Sequence, residues 1–381
     1  MSRRIRTVGA AALFAIIAAV PAGVSAQEPP VGAAVSQAAA IPLTPVTLEQ
    51  ALALAEANNP GLRLAQYQLS NARTSLATAP ANAQNLGSLA SLYAQAQFGV
   101  TIPANAITPA VARQQAQISY EQAAVQYYQA RQQVRMGTLH AYVEWQRARS
   151  LVEAQQSALD RALAQEEQVT ALMNAGVVAK FDLLQAQAQV TGQKAALAGA
   201  VAMEASTRLA LEQVIGRPLA AGVVPESQLL SADTVVIDTD VAALVAKAMA
   251  NRPDLRDSVL DLVARRSQVT LTAGSAAAAQ LQIQVAAGQY ESAAAKARTE
   301  VQQSLWAAQG ALGELKAREG ALAPSTEALR LAELRYEAGL ATYIEVQSAL
   351  AANLQAEAAR IQAAANLRVA LARLAQATGD M

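Results

Sequence analysis

The sequence predicts a mainly α protein: duplicated long antiparallel helical hairpins, coiled-coil-like, with a small or reduced β-strand portion. Three observations carry this. Apolar residues make up 53% of the chain but aromatics only 4%, so Ala, Leu and Val dominate. Ala and Leu are strong helix formers, and small Ala side chains let helices approach closely. A helix-break-helix, YEAGLATYIEVQSALAANLQAEAARIQAAANLRVALARL (336–374), has a weaker copy in NAGVVAKFDLLQAQAQVTGQKAAL (174–197). TLEQALALAEANNPGLR (47–63) likewise has a counterpart in DVAALVAKAMANRPDLR (240–256).

Taken in order, MSRRIRTVGAAALFAIIAAVPAGVSA (1–26) reads as a secretory signal peptide: three Arg, an apolar run, then small residues before a cut after Ala26. An N-terminal membrane anchor is the alternative, disfavoured by the short apolar core. No later segment is long and apolar enough for a membrane helix. Residues 27–46 form an extended Pro/Ala-rich tail. Thr47 then caps a helix, with Gln50 completing a capping box.

Each repeat opens with a short helix stopped before a proline, because the residue ahead of Pro is driven out of the α region. Pro60 aligns with Pro253 and Arg63 with Arg256, marking the repeat-start breaks. The first repeat covers 47–215 with a strand insert near 86–108, and the second 240–378 with a shorter insert near 267–286. Residues 216–239 are a linker with a strand-like VVID. Long helices are expected over 111–173 and 181–214, the first spanning roughly 95 Å. Leu159, Leu163, Val169 and Met173, and Leu350, Leu354, Ile361, Leu367, Leu371 and Leu374, recur at coiled-coil-like spacings.

The stretch 90–102 alternates, with Leu92, Phe98, Val100 and Ile102 on one face and Tyr93, Gln95, Gln97 and Thr101 on the other, which predicts a strand. In the second repeat 269–273 and 280–285 (QLQIQV) are the shorter candidates. From the proline to the glycine break the first repeat runs 116 positions (60 to 176) and the second 86 (253 to 339). The missing thirty match one membrane hairpin.

Composition excludes several functions. Without cysteine there is no disulfide, thiol nucleophile, Cys-held metal or Cys-linked lipid. After the first 26 residues, 26 basic groups face 29 acidic ones, a net of −3, which gives no footprint for nucleic acid. The single histidine, His140, has no Cys or acid cluster around it and reads as a helix-surface or packing residue. Trp145 and Trp306 read as packing or subunit contacts. Pro324 is expected to kink its helix. No phosphate loop, catalytic triad or metal spacing appears, so neither enzyme activity nor a cofactor is expected.

The PGLR and RPDLR openings, the AYVEWQRA helix and the paired tips GVVAKFDLLQAQ and YEAGLATYIEVQSA resemble the TolC family of outer-membrane efflux and secretion channels, over about 47–378. The resemblance implies an α-barrel protomer in a homotrimer, with strands from each subunit closing a barrel in the outer membrane and a helical tunnel crossing the periplasm. Docking to a periplasmic adaptor and an inner-membrane pump or ABC exporter would open the tips like an iris, for efflux or type I-like secretion. It assigns Gly176, Val177, Gly339 and Leu340 to the tips that contact the adaptor, and Asp182 and Glu345 to aperture charge and cation preference. Ser348 stands where some members carry a second acid, and Ala341 where some carry an Arg. Asp182 and Glu345 read equally as acids favoured at a helix start, and the glycines as C-caps. The shortened second insert leaves two expectations: a channel with a small or reduced barrel, or a periplasmic coiled-coil spacer or envelope tether lacking one.

Overall fold

A computed structural model describes residues 44–98, 109–220, 222–226, 230–271 and 276–380. They lie in one compact unit, Pro42–Met381. The order is β1 (Thr44–Val46), α1 (Leu48–Asn58), α2 (Pro60–Phe98), α3 (Pro109–Asn174), α4 (Lys180–Ile215), β2 (Val223–Pro225), a 3₁₀ turn (Ala232–Thr234), α5 (Val241–Asn251), α6 (Pro253–Leu271), α7 (Ala276–Glu337) and α8 (Tyr343–Thr378). The 66 residues of α3 span about 99 Å and the 62 of α7 about 93 Å. Each folds back on a 36-residue partner, α3 on α4 and α7 on α8, and α3 lies against α8 to join the two hairpins.

The helix starts follow the sequence signals. Thr47 Oγ1 accepts from the Gln50 N–H while Gln50 Oε1 accepts from the Thr47 N–H, the expected capping box. α1 and α5 each end two residues before a proline, and Asn59 and Arg252 take extended backbone between the helices.

Equivalent cores close the two repeats. In the first, Ala51 and Ala55 of α1 pack on Tyr142 and Trp145 of α3 and Leu211 and Ile215 of α4. In the second, Leu244 and Ala248 of α5 pack on Val301 and Leu305 of α7 and Ala377 of α8. Helix ends meet at the same place. Gly216, after α4, lies so close to Asn58 that a Cβ would stand 2.9 Å from its carbonyl oxygen. Gly379, after α8, lies against Asn251, whose Cβ would be 2.7 Å away. Both glycines have positive φ, so each needs glycine twice over, for conformation and for space.

The strand inserts are the main correction. Through Phe98 the alternating stretch is helix, the end of α2, and 99–102 lies outside the described residues. In the second repeat 269–271 closes α6, 280–285 is part of α7, and 272–275 lies outside the described residues. The reason is propensity: Ala, Leu and Gln favour a helix, and Ala alternating with Gln or Ser is as compatible with a helix as with a strand. A helix also closes its own backbone hydrogen bonds, whereas a strand needs a neighbour. The same need moves the linker strand. VVID (235–238) carries no strand, and Val223–Pro225 forms the strand instead, paired parallel with Thr44–Val46. Tyr142 ties that pair to α3, its Oη donating to the Val46 carbonyl at 2.8 Å and accepting from the Glu226 N–H at 3.1 Å. α7 runs as one helix through Pro324.

The paired hairpin tips as candidate functional site

Each tip is built from one backbone device used twice. At the first, the Gly176 N–H donates to the Met173 carbonyl (2.9 Å) and the Val177 N–H to that of Leu172 (2.9 Å). At the second, Gly339 donates to Tyr336 (2.9 Å) and Leu340 to Arg335 (2.8 Å). These are paired Schellman motifs, with glycine in the left-handed region at φ +77° and +70°. Nothing crowds either glycine, so conformation alone requires it. Beyond them, Val177 is 65% and Leu340 72% exposed, so each turn presents an apolar side chain to solvent. Phe181 and Ile344, in the first turn of the following helices, are exposed too. Sequence reasoning passed over this second pair, although the same 163-residue step that relates Gly176 to Gly339 relates Phe181 to Ile344.

The two acids differ. Glu345 is held in place: its Oε1 accepts from the Thr342 N–H (3.3 Å) and Oγ1 (3.2 Å), and Thr342 Oγ1 accepts from the Glu345 N–H (3.4 Å). Arg335 Nη1 lies 3.7 Å from Glu345 Oε2. This geometry belongs to a capped helix start. Asp182 occupies the equivalent position in α4, but the N-cap there is Ala179, which offers no side-chain acceptor. Its carboxylate instead acts on the neighbouring hairpin. Burial first, and the Asp182 charge second, push the Tyr336 phenol above its ordinary pKa. Burial also raises Tyr343, where a hydrogen bond with Gln347 pulls down and Asp182 and Glu166 add to the rise.

Beneath the turns the hairpins share one apolar cluster: Val169 and Ala186 from the first, Tyr336, Tyr343 and Val346 from the second. The two rings sit 5.7 Å apart, and the buried Tyr336 Oη has no hydrogen-bond partner. Nearby, Gln168 Nε2 donates to Glu337 Oε1 (3.0 Å) and Arg161 Nη1 to Asn353 Oδ1 (3.5 Å), so polar links also join the hairpins.

Pro60 and Pro253 begin α2 and α6 at the opposite end of the hairpins, about 54 Å away along the 36 residues of α4 or α8. Arg63 and Arg256 are exposed there. The residues that fasten this end are Asn59, whose Nδ2 donates to the Val214 carbonyl, and Arg252, whose Nη1 donates to that of Ala377. Arg252 also pairs with Asp254 and Glu300 at 2.7 Å each. Their place one residue before each proline was the available signal. No group of acids and histidines suited to a metal ion occurs among the described residues.

Two long hairpins from an internal duplication, joined edge to edge with matching apolar tips, make a fold of the TolC-like α-barrel class. The outer membrane efflux protein family matches residues 107–217 and 273–380, one segment for each hairpin, and the chain belongs to that family. It is a family of efflux channels rather than enzymes. Three solved structures show the same fold. The outer membrane protein VceC of Vibrio cholerae is 16% identical, with 87% of this chain and 96% of that one covered at a TM-score of 0.63. The CmeC outer membrane channel of Campylobacter jejuni is 15% identical, with 87% and 85% covered and a TM-score of 0.65. The open state of the Neisseria gonorrhoeae MtrE outer membrane channel is 18% identical, with 87% and 88% covered and a TM-score of 0.62. No curated protein sequence matches the chain.

Proposed function

We propose that the chain is one subunit of a passive homotrimeric channel that carries efflux or secretion substrates across periplasm and outer membrane. Its tips dock onto a periplasmic adaptor, and an inner-membrane pump or exporter supplies the energy. The observation that supports this most is the pair of matching tip turns presenting Val177 and Leu340 on helices long enough to line a tunnel. Asp182, free of the cap that holds Glu345, is the acid better suited to set tip charge. The N-terminal 1–26 segment is read as the export signal. Reconstitution into planar bilayers tests the proposal: conductance is expected, and a confirmed trimer that passes no current removes the channel reading.

One observation favours a second reading, a periplasmic spacer or envelope tether on the same scaffold. The residues expected to supply strands are helix up to Phe98 and Leu271. Fractionation separates the readings: heat-modifiable recovery with outer membranes belongs to the channel, and recovery in the soluble periplasmic fraction belongs to the spacer.

A further inference from the structure

The two repeats differ on one surface far from the tips. There α3, the close of α5, the start of α6 and α7 line a groove of about 780 Å³. That volume lies within the range of small-molecule sites, about 300–1,000 Å³. Met249 of α5 with Val259 and Leu260 of α6 form its apolar wall. Three phenols stand around it, Tyr120 and Tyr128 from α3 and Tyr290 from α7. Tyrosine suits such a wall, because its ring packs against apolar matter while its hydroxyl stays available to a polar group.

The groove is cationic. Arg131 and Arg256 line it. Arg131 (2.9 Å) and Arg135 (2.7 Å) share the single Glu56 carboxylate, so that trio keeps one positive charge. Arg256 is exposed and makes no ion pair among the described residues. Asp257, its neighbour in sequence, stands about 100° away around α6 and is not on the wall. The acid on the wall is Glu121, held by Gln117 Nε2 at 2.8 Å. The spare charge of the trio and Arg256 outweigh that one carboxylate. The duplication shows which of these groups the scaffold needs. Leu62 and Leu255, at equivalent places after the two proline breaks, are both buried and serve the fold. Tyr120, Tyr128 and Arg131, by contrast, correspond to Ile283, Glu291 and Ala294 across the 163-residue step. α7 packs on α6, as α3 does, without those two phenols or that arginine. Helix packing therefore gives no reason for them.

We propose that this groove binds an amphipathic anion, a phosphate-headed molecule with one acyl chain or ring. Arg256 and the spare charge of the Arg131–Glu56–Arg135 trio hold the head. The three phenols, with Met249, Val259 and Leu260, cover the apolar body. The groove is formed within a single copy of the chain, so the site stands apart from the channel reading and from assembly.

Octyl phosphate is the probe, titrated by calorimetry into the full-length chain in neutral detergent. Saturable binding at one site per chain is expected. Arg256→Gln should weaken it about tenfold, as loss of a charge-assisted hydrogen bond does, and Tyr128→Ala should weaken it severalfold. Both residues are exposed, and circular dichroism checks that both variants keep their helices. Arg63→Gln removes the equivalent arginine of the first repeat, which is not on the groove wall, and should bind as the parent does. Phosphatidylglycerol separates two sources of the ligand, and the site stands with either. Displacement of octyl phosphate assigns it to a membrane lipid, and no displacement assigns it to a soluble amphiphile. The site is overturned by an absence of saturable binding, by equal losses in Arg63→Gln and Arg256→Gln, or by inorganic phosphate binding as well as octyl phosphate.

Discussion

Asn59 and Val214 are 155 residues apart, yet Asn59 Nδ2 donates to the Val214 carbonyl at 2.8 Å. Arg252 and Ala377 make the equivalent contact in the second repeat at 3.4 Å. Each bond ties the start of a repeat to its end. Asn59 Oδ1 also accepts from the N–H groups of Gly61 (2.9 Å) and Leu62 (3.2 Å), capping α2. Asn59→Ala is therefore expected to lower stability by about 1–2 kcal/mol, as lost caps and part-buried hydrogen bonds do. Arg63→Ala, at an exposed position, should stay within about 0.5 kcal/mol. Urea unfolding followed by circular dichroism checks both, and equal losses would place the effect in the proline break rather than the clamp.

The four positive-φ glycines at hairpin ends should not respond alike. Gly176→Ala and Gly339→Ala meet open space, so each carries only the left-handed backbone cost, about 1–2 kcal/mol. Gly216→Ala and Gly379→Ala add a collision with the Asn58 or Asn251 backbone and should lose clearly more. Melting temperatures of the four variants give the ranking.

The two helix starts at the tips differ by one acceptor. Thr342→Ala removes the α8 cap and should destabilise by about 0.5–2 kcal/mol. Ala179→Ser supplies α4 with the missing acceptor and should stabilise by about 0.5–1 kcal/mol. A neutral or negative result for Ala179→Ser in thermal unfolding would mean that strain at this tip outweighs the cap.

Glu56 joins α1 to α3 through Arg131 (2.9 Å) and Arg135 (2.7 Å). Burial alone would raise its pKa, but the hydrogen bonds and charges of the two arginines prevail and hold it below the ordinary 4.5. A carboxyl with a lowered folded pKa contributes stability that is present above its unfolded value and lost as pH falls through the folded one. Glu56→Gln should therefore melt earlier than the parent at neutral pH, with the gap narrowing below about pH 4.5. Melting curves between neutral and acidic pH check this, and a gap independent of pH would exclude the ion pairs as its source.

Tyr336 and Tyr343 are held neutral by burial and by Asp182. A phenol with a raised folded pKa contributes stability below its unfolded value, about 10, that is lost as pH rises through the folded one. Asp182→Asn should bring tyrosinate absorbance in at lower alkaline pH than in the parent. An unchanged titration would place the Asp182 charge away from the second hairpin.

The sequence by itself determined the helices, the duplication and both kinds of break, because these depend on local chemistry. Propensity sets the Ala- and Leu-rich runs, proline stops α1 and α5, and glycine supplies the left-handed residue at Gly176 and Gly339. The Thr47 box was legible for the same reason, its partners being three residues apart. The tertiary structure decided what depends on neighbours distant in the chain. It left the Ala90–Phe98 alternation as the helix that its propensity favours, with no strand paired to it among the described residues. It paired Thr44–Val46 with Val223–Pro225 across the linker. It engaged Glu345 in a cap while leaving Asp182 to act on the facing tyrosines, a difference set by Thr342 against Ala179 and by the approach of the second hairpin. Local propensity reads along the chain, whereas the tip and the repeat closure are contacts across it.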